Sequence, residues 1–204
     1  WAQIAEFGAA ALSLRAIARA LHITAPAIYN YFPSRDDLVT ALIVDAYTSL
    51  ANSQEAALSS LIDASPQAQF VALGMEYRQW ALRYPQRYQL IFGTPIPHYH
   101  APKDITNPAA SRAMLPLMQV THSLFTIQKP ALPHLAIMSP ALEAMQTAWQ
   151  SAGMPLEREV IYLAVVIWSR VHGLVHLEIG GQFPPYITEP GEVFQREIQS
   201  ILIQ

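Results

Sequence analysis

The period of the apolar residues constrains this chain more than any other feature. They recur at helical spacing almost from end to end, and no segment keeps up the two-residue alternation of a half-buried strand. A chain patterned this way buries stripes of helix against one another, so the expected fold class is all-α. The punctuation agrees. Ser13, Thr24 and Ser34 stand at cap positions ahead of apolar runs. Gly8 follows the first run, where a left-handed residue ends a helix. Pro26 falls close to where a helix start tolerates proline best. Nine of the 16 prolines lie between Pro85 and Pro140, and they read as separating helices rather than lying inside them. The expected helices are 1–7, 14–21, 25–32, 34–60, 67–83, a short one from Pro85 through Leu90, then 108–125, 140–153, 155–180 and 191–203. A Pro/His-rich loop covers 94–107, and further loops run through Pro133 and from Pro184 to Pro190.

Composition narrows the function classes. At 204 residues, 52% apolar and 13% charged, the chain can bury a real core without a disulfide or metal staple, and it is not a disordered polymer. It has no cysteine, which excludes disulfides, thiolate-bound metals and thiol nucleophiles and fits a cytoplasmic location. The most apolar stretch, Val160 to Leu177, is interrupted by Ser169, Arg170, His172 and His176, so no membrane span is expected. A net charge of −3 argues against a broadly basic nucleic-acid coat, though not against a small reading element on a neutral body. The sequence opens on Trp1, and the first helix reads as truncated at its N-terminus.

Residues 13–32 read SLRAIARALHITAPAIYNYF. Leu14, Ile17, Ala18 and Leu21 fall on one helical stripe, and Ala18 is small where a second helix must come close. Ile23 can plug the angle between the helices. In the second helix Ile28 and Phe32 share one face, while Pro26, Tyr29 and Asn30 point away from it. A tight turn at His22 needs a left-handed backbone, which His tolerates better than most residues. Together these features describe a helix-turn-helix. The plain alternative is a helical hairpin in an all-α core, and periodicity alone does not separate the two.

The stretch LRAIARALHITAPAIYNYFPSRDDLVTALI resembles the TetR-like transcriptional regulator family over about residues 3–47. The run WSRVHGLVHLEIGGQF, residues 168–183, resembles the subgroup named for its Trp…His-Gly motif. The resemblance implies a helix-turn-helix DNA-binding domain over 1–47 and an effector-binding and dimerisation domain over 48–204, with the boundary inside the fourth helix. It implies that Arg15 reaches a base edge or phosphate, that Ala25 and Pro26 lie against base edges, and that Thr24 offers its hydroxyl to a phosphate. Tyr29 and Tyr31 would bond phosphates, Asn30 would reach a base or the backbone, and Arg35 would take a basic phosphate-contact position. Phosphate contacts set register and base contacts set sequence. Charge pulls the other way: residues 1–47 hold three basic groups (Arg15, Arg19, Arg35) against four acids (Glu6, Asp36, Asp37, Asp45). A shallow salt dependence of DNA binding is therefore expected.

The rest of the chain is rich in large apolar side chains and poor in catalytic ones. Met and aromatic residues at helical spacing suit an adaptable cavity as well as a plain core. The expected lining is Trp80, Met114, Met118, His122, Trp149, Trp168 and His172, for a small, mostly apolar effector. A His172/His176 metal site lacks a converging third ligand, so neither a metal nor a cofactor is expected. The long helix from Leu156 to Gly180 and the last one from Gly191 to Gln204 are the expected homodimer surface, since a greasy terminal helix needs a partner. Twofold pairing would space two reading heads by about 34–36 Å for adjacent half-sites. The reading is a ligand-responsive repressor of a palindromic double-stranded DNA operator, with no catalytic residues. Its rivals are a protein-interaction module with a vestigial hairpin and a His-dependent helical enzyme.

Overall fold

The computed structural model of the chain describes residues 1–128, 139–151 and 156–202, the side chain of Leu142 apart. The expected loop through Pro133, the helix stop at Gly153, the start at Pro155 and the chain end at Ile203 and Gln204 lie outside the described residues. Among the described residues the architecture is all-helical: α1 Ala2–Phe7, α2 Leu14–Ala20, α3 Ala25–Tyr29, α4 Arg35–Ser59, α5 Pro66–Arg83, α6 Pro85–Phe92, α7 Lys103–Ile127, α8 Pro140–Ser151, α9 Arg158–Ile179 and α10 Pro190–Ile201. A 3₁₀ turn, Ala9–Ala11, joins α1 to α2.

Two prolines do not separate helices. Pro108 and Pro116 lie inside α7, which starts five residues before the expected position. A proline there removes one backbone donor from the i→i−4 ladder. The rest of a 25-residue helix carries on around the two gaps, with Pro116 itself buried.

Packing divides the chain into two compact units. The first holds Trp1–Asn52 and Trp80–Ala113, the second Ser53–Gln79 and Met114–Gln204. Thus α4, α5 and α7 each lend residues to both. The return of residues 80–113 to the first unit was not legible in the sequence, because side chains far apart along the chain make the contacts that cause it.

The first unit is built around Ile4, Leu12, Leu14, Ala18, Ile28, Leu38, Val39 and Ile43, with Leu90, Ile91, Ile96 and Tyr99 packed against them. In the second unit α9 supplies one continuous buried stripe, Val160, Ile161, Ala164, Ile167, Val171 and Val175, and α10 adds Phe194 and Ile198. By length and composition α9 could cross a bilayer, with a mean hydropathy of 1.6. Here its Arg170 pairs with Glu197 of α10 at 2.5 Å, and its buried stripe makes it part of a helical core.

Candidate nucleic-acid interface and effector region

The hairpin of α2 and α3 forms because each end is locally determined. Ser13 caps α2, its Oγ accepting from the Ala16 amide at 3.4 Å. His22 takes the left-handed conformation the turn needs, with φ 55°. Ser34 and Asp37 cap α4 reciprocally: the Ser34 amide donates to Asp37 Oδ2 at 2.8 Å and the Asp37 amide to Ser34 Oγ at 3.2 Å. Thr24 occupies the N-cap position of α3, but its side chain makes no capping bond.

Two expectations of burial are corrected. Leu21 is 61% exposed and Ile23 40% exposed, so the apolar stripe of α2 ends at Ala18 and Ile23 is not a plug. The turn swings outward at His22, carrying both side chains to the surface. Ala18 and Ile28 are the buried members of α2 and α3 in the common cluster, 2% and 5% exposed.

Most of the residues expected to meet DNA are exposed. Arg15, Thr24, Pro26 and Asn30 are exposed and Ala25 is half-buried. Tyr29 is 39% exposed and Tyr31 78%. Arg35 differs. Its Nε donates to Leu12 O at 3.1 Å, and Nη2 donates to Ala9 O at 3.1 Å and Ala10 O at 2.9 Å. Nη1 lies 3.6 Å from Asp36 Oδ1. The guanidinium fastens the 3₁₀ turn, which leaves Arg15 and Arg19 as the exposed cations of residues 1–47.

The expected effector residues fall in different surroundings. Trp80 belongs to the first unit, fully buried, with Nε1 donating to Ser49 Oγ at 3.1 Å. The other six belong to the second unit. Met118 is buried there, while Met114 and Trp149 are half-buried. His122 Nδ1 meets Glu157 Oε2 at 3.1 Å near the surface. Trp168 and His172 come together, their rings 4.9 Å apart, and His172 Nδ1 shares a 2.8 Å hydrogen bond with Tyr77 Oη. His176 stacks next along α9, 6.0 Å away. Burial first, then the neighbouring His176, hold the pKa of His172 below the usual histidine value.

Some functional candidates were missed in the sequence. Gln54 Oε1 and Thr121 Oγ1 are buried without a hydrogen-bond partner among the described residues, and nothing in the helical pattern marks them. Arg78 forms a two-point pair with Glu178, Nε to Oε2 at 2.7 Å, and its guanidinium lies over the Phe194 ring at 5.9 Å. An open cavity of about 270 Å³ is lined by Leu58, Ile62, Gln69, Pro116, Val120 and Ser123 among others. None of the expected lining residues borders it.

Comparison with known proteins places this geometry. Residues 1–42 match the bacterial regulatory proteins of the tetR family, and residues 70–201 match the tetracyclin repressor-like C-terminal domain. The HTH-type transcriptional regulator Rv1816 of Mycobacterium tuberculosis is 33% identical over 201 residues, covering 98% of this chain and 86% of its own. Mb1846 of Mycobacterium bovis, another HTH-type transcriptional regulator, matches equally. Among solved structures, the regulatory protein SCO4313 superposes with a TM-score of 0.80 at 37% identity, over all of this chain and 91% of its own. The TetR family regulator PfmR of Thermus thermophilus shares the fold, with a TM-score of 0.54 at 16% identity over 98% of this chain and 92% of its own. With an outward-facing helix-turn-helix at one end and a family C-terminal domain over most of the remainder, the chain belongs to the TetR family of transcriptional regulators.

Proposed function

We propose that the protein is a repressor that holds a palindromic operator as a homodimer and lets go when a small, mostly apolar effector binds. The observation that carries this reading is the outward face of α3 and its flanks. Thr24, Pro26, Tyr29, Asn30 and Tyr31 are all exposed while Ile28 behind them is buried. That pattern fits an element inserted into a major groove. In our assignment Ala25 and Pro26 meet thymine methyls or sugars, Asn30 reads a base edge, and Thr24, Tyr29, Tyr31 and Arg15 hold phosphates. Arg35 adds charge, but its N–H groups already serve the carbonyls of Ala9, Ala10 and Leu12. DNA reading would place the protein in the cytoplasm.

For the effector region we retain Met114, Met118, His122, Trp149, Trp168 and His172 of the second unit, and we place the chain in the Trp…His-Gly subgroup on Trp168, His172 and Gly173. The ring stack and the Tyr77 contact support a polar handle within apolar surroundings. The half-buried apolar side chains Tyr162, Val165 and Val166 of α9 and Val193 and Ile201 of α10 support pairing through these two helices. An effector releases DNA only if it binds the non-operator form more tightly, and DNA then weakens effector binding by the same factor.

The test is footprinting on the DNA upstream of the protein's own gene. The reading expects one protected site with twofold symmetry. Protection without symmetry, or none at concentrations that saturate TetR family relatives, would contradict it.

A further inference from the structure

Arg87, the third residue of α6, is where three parts of the first unit meet. Its guanidinium carbon lies 5.1 Å from the centre of the Trp1 ring and 5.2 Å from that of Tyr84. Its Nη2 lies 3.3 Å from Asp45 Oδ2 on α4. The same carboxylate oxygen accepts from Trp1 Nε1 at 3.1 Å. One planar cation thus lies against two aromatic rings and a carboxylate, tying the start of α1 to the middle of α4 and the start of α6. Arginine suits this place because it is planar, always charged and able to stack, whereas lysine keeps only the charge.

Of these four side chains only Trp1 packs against the buried cluster that folds the head, which is Ile4, Leu12, Leu14, Ala18, Ile28, Leu38, Val39 and Ile43; Tyr84, Arg87 and Asp45 lie outside it. The group also has company along α6 and beyond. Leu90, Ile91, Ile96 and Tyr99 pack on that cluster, and Tyr99 Oη shares a 2.8 Å hydrogen bond with Thr40 Oγ1 of α4. Residues 84–99 therefore form a wall against the helices that carry α3. The Asp45 side chain is 49% exposed and Arg87 23% exposed, so the contacts are individually weak and screened. Contacts this weak, at the margin of the core, do little to decide whether the cluster forms, and more to decide the angle at which α1 to α3 are held.

We infer that Arg87 is a positioning residue which sets the angle of α1 to α3 on α4 and α6, and with it the spacing of the two α3 helices that a palindrome must match. The inference rests on the proposal that the protein reads a palindrome as a dimer, and it names the contact that governs the fit. A head free to tilt still binds one half-site. What it loses is the second, intramolecular binding event, whose gain vanishes when geometry forbids simultaneous engagement.

The experiment uses a duplex that the parent protein selects from a random pool, and the same duplex with one arm scrambled. For Arg87→Met, binding to the intact palindrome is expected to weaken about tenfold while binding to the scrambled form stays within about twofold, because only simultaneous engagement is lost. Arg87→Lys should fall between Met and the parent, and Tyr84→Leu should reproduce part of the loss. An unchanged ratio of the two affinities in Arg87→Met would overturn the inference. So would an equal loss on both duplexes with a lowered melting temperature, which would make Arg87 a folding contact. A parent that selects no palindrome would instead overturn the repressor reading itself, and this inference with it.

Discussion

In the reading head Tyr29 and Tyr31 stand out from the surface, whereas in the second unit Tyr77 and Phe194 are buried and engaged, one with His172 and the other under Arg78. The head's core side chains are small aliphatics on helices as short as five residues. The second unit builds on longer helices, such as the 22-residue α9, and joins polar groups about a hundred positions apart, as in Arg78–Glu178. The first unit buries aromatics too, Trp80 and Tyr88 among them, so exposure singles out Tyr29 and Tyr31. The second unit uses the same residue types as fillers. Residue type alone does not say which aromatics face outward.

That contrast can be broken most forcefully in the second unit. Phe194 is 1% exposed, and Phe194→Ala should cost about 3–5 kcal/mol through lost burial and a residual cavity. Urea unfolding checks this, and the fraction that remains folded should still select the parent's DNA sequence. A change in sequence preference would blur the division between the units.

A smaller effect is expected in the head. Ser13→Ala removes the cap of α2 and should cost about 1 kcal/mol, less if the 3.4 Å bond is weak. Unfolding monitored alongside operator binding should show both falling together, since α2 supports α3. Operator binding that stays at the parent's level would show that α3 does not depend on its neighbour.

The mildest test is acid. His172 has a folded pKa below the usual value of about 6.5, chiefly through burial. Above that pH both folded and unfolded chains carry it neutral, so it adds no pH dependence. As pH falls through about 6.5 the unfolded chain takes up a proton that the folded chain resists, so stability declines. His172→Gln should flatten that part of the profile, measured as unfolding free energy between pH 7.5 and 5, values chosen about a unit or more either side of the usual pKa. A profile unchanged by the substitution would mean that His172 titrates as it does in the unfolded chain.

Much of the head was legible because its determinants are local. The caps at Ser13 and Ser34 and the turn at His22 each act within about three residues of themselves, and sequence spacing reports them directly. Leu21 and Ile23 misled because an apolar residue at the right spacing looks the same whether the next turn folds under it or swings away. The carbonyl bonds of Arg35 were not legible, since a guanidinium there can hold carbonyls as readily as phosphates. The second unit was less legible. Tyr77 with His172, and Arg78 with Glu178, depend on which faces of distant helices meet, and no local pattern encodes that. Pro108, expected to open a helix and found inside α7, resisted for a related reason: tertiary packing can retain a helix that proline would end in isolation.

The most direct test of the central claim is operator affinity of the double variant Tyr29→Ala, Tyr31→Ala, measured with its melting temperature. Both side chains are exposed, so melting should stay within about 2 °C of the parent, as expected for surface substitutions. Affinity for the selected duplex should fall at least about tenfold, the scale of losing one to two hydrogen bonds to charged phosphates. Parent-like affinity at unchanged stability would contradict the account, because the outward face of α3 and its flank would then not be the surface that holds DNA.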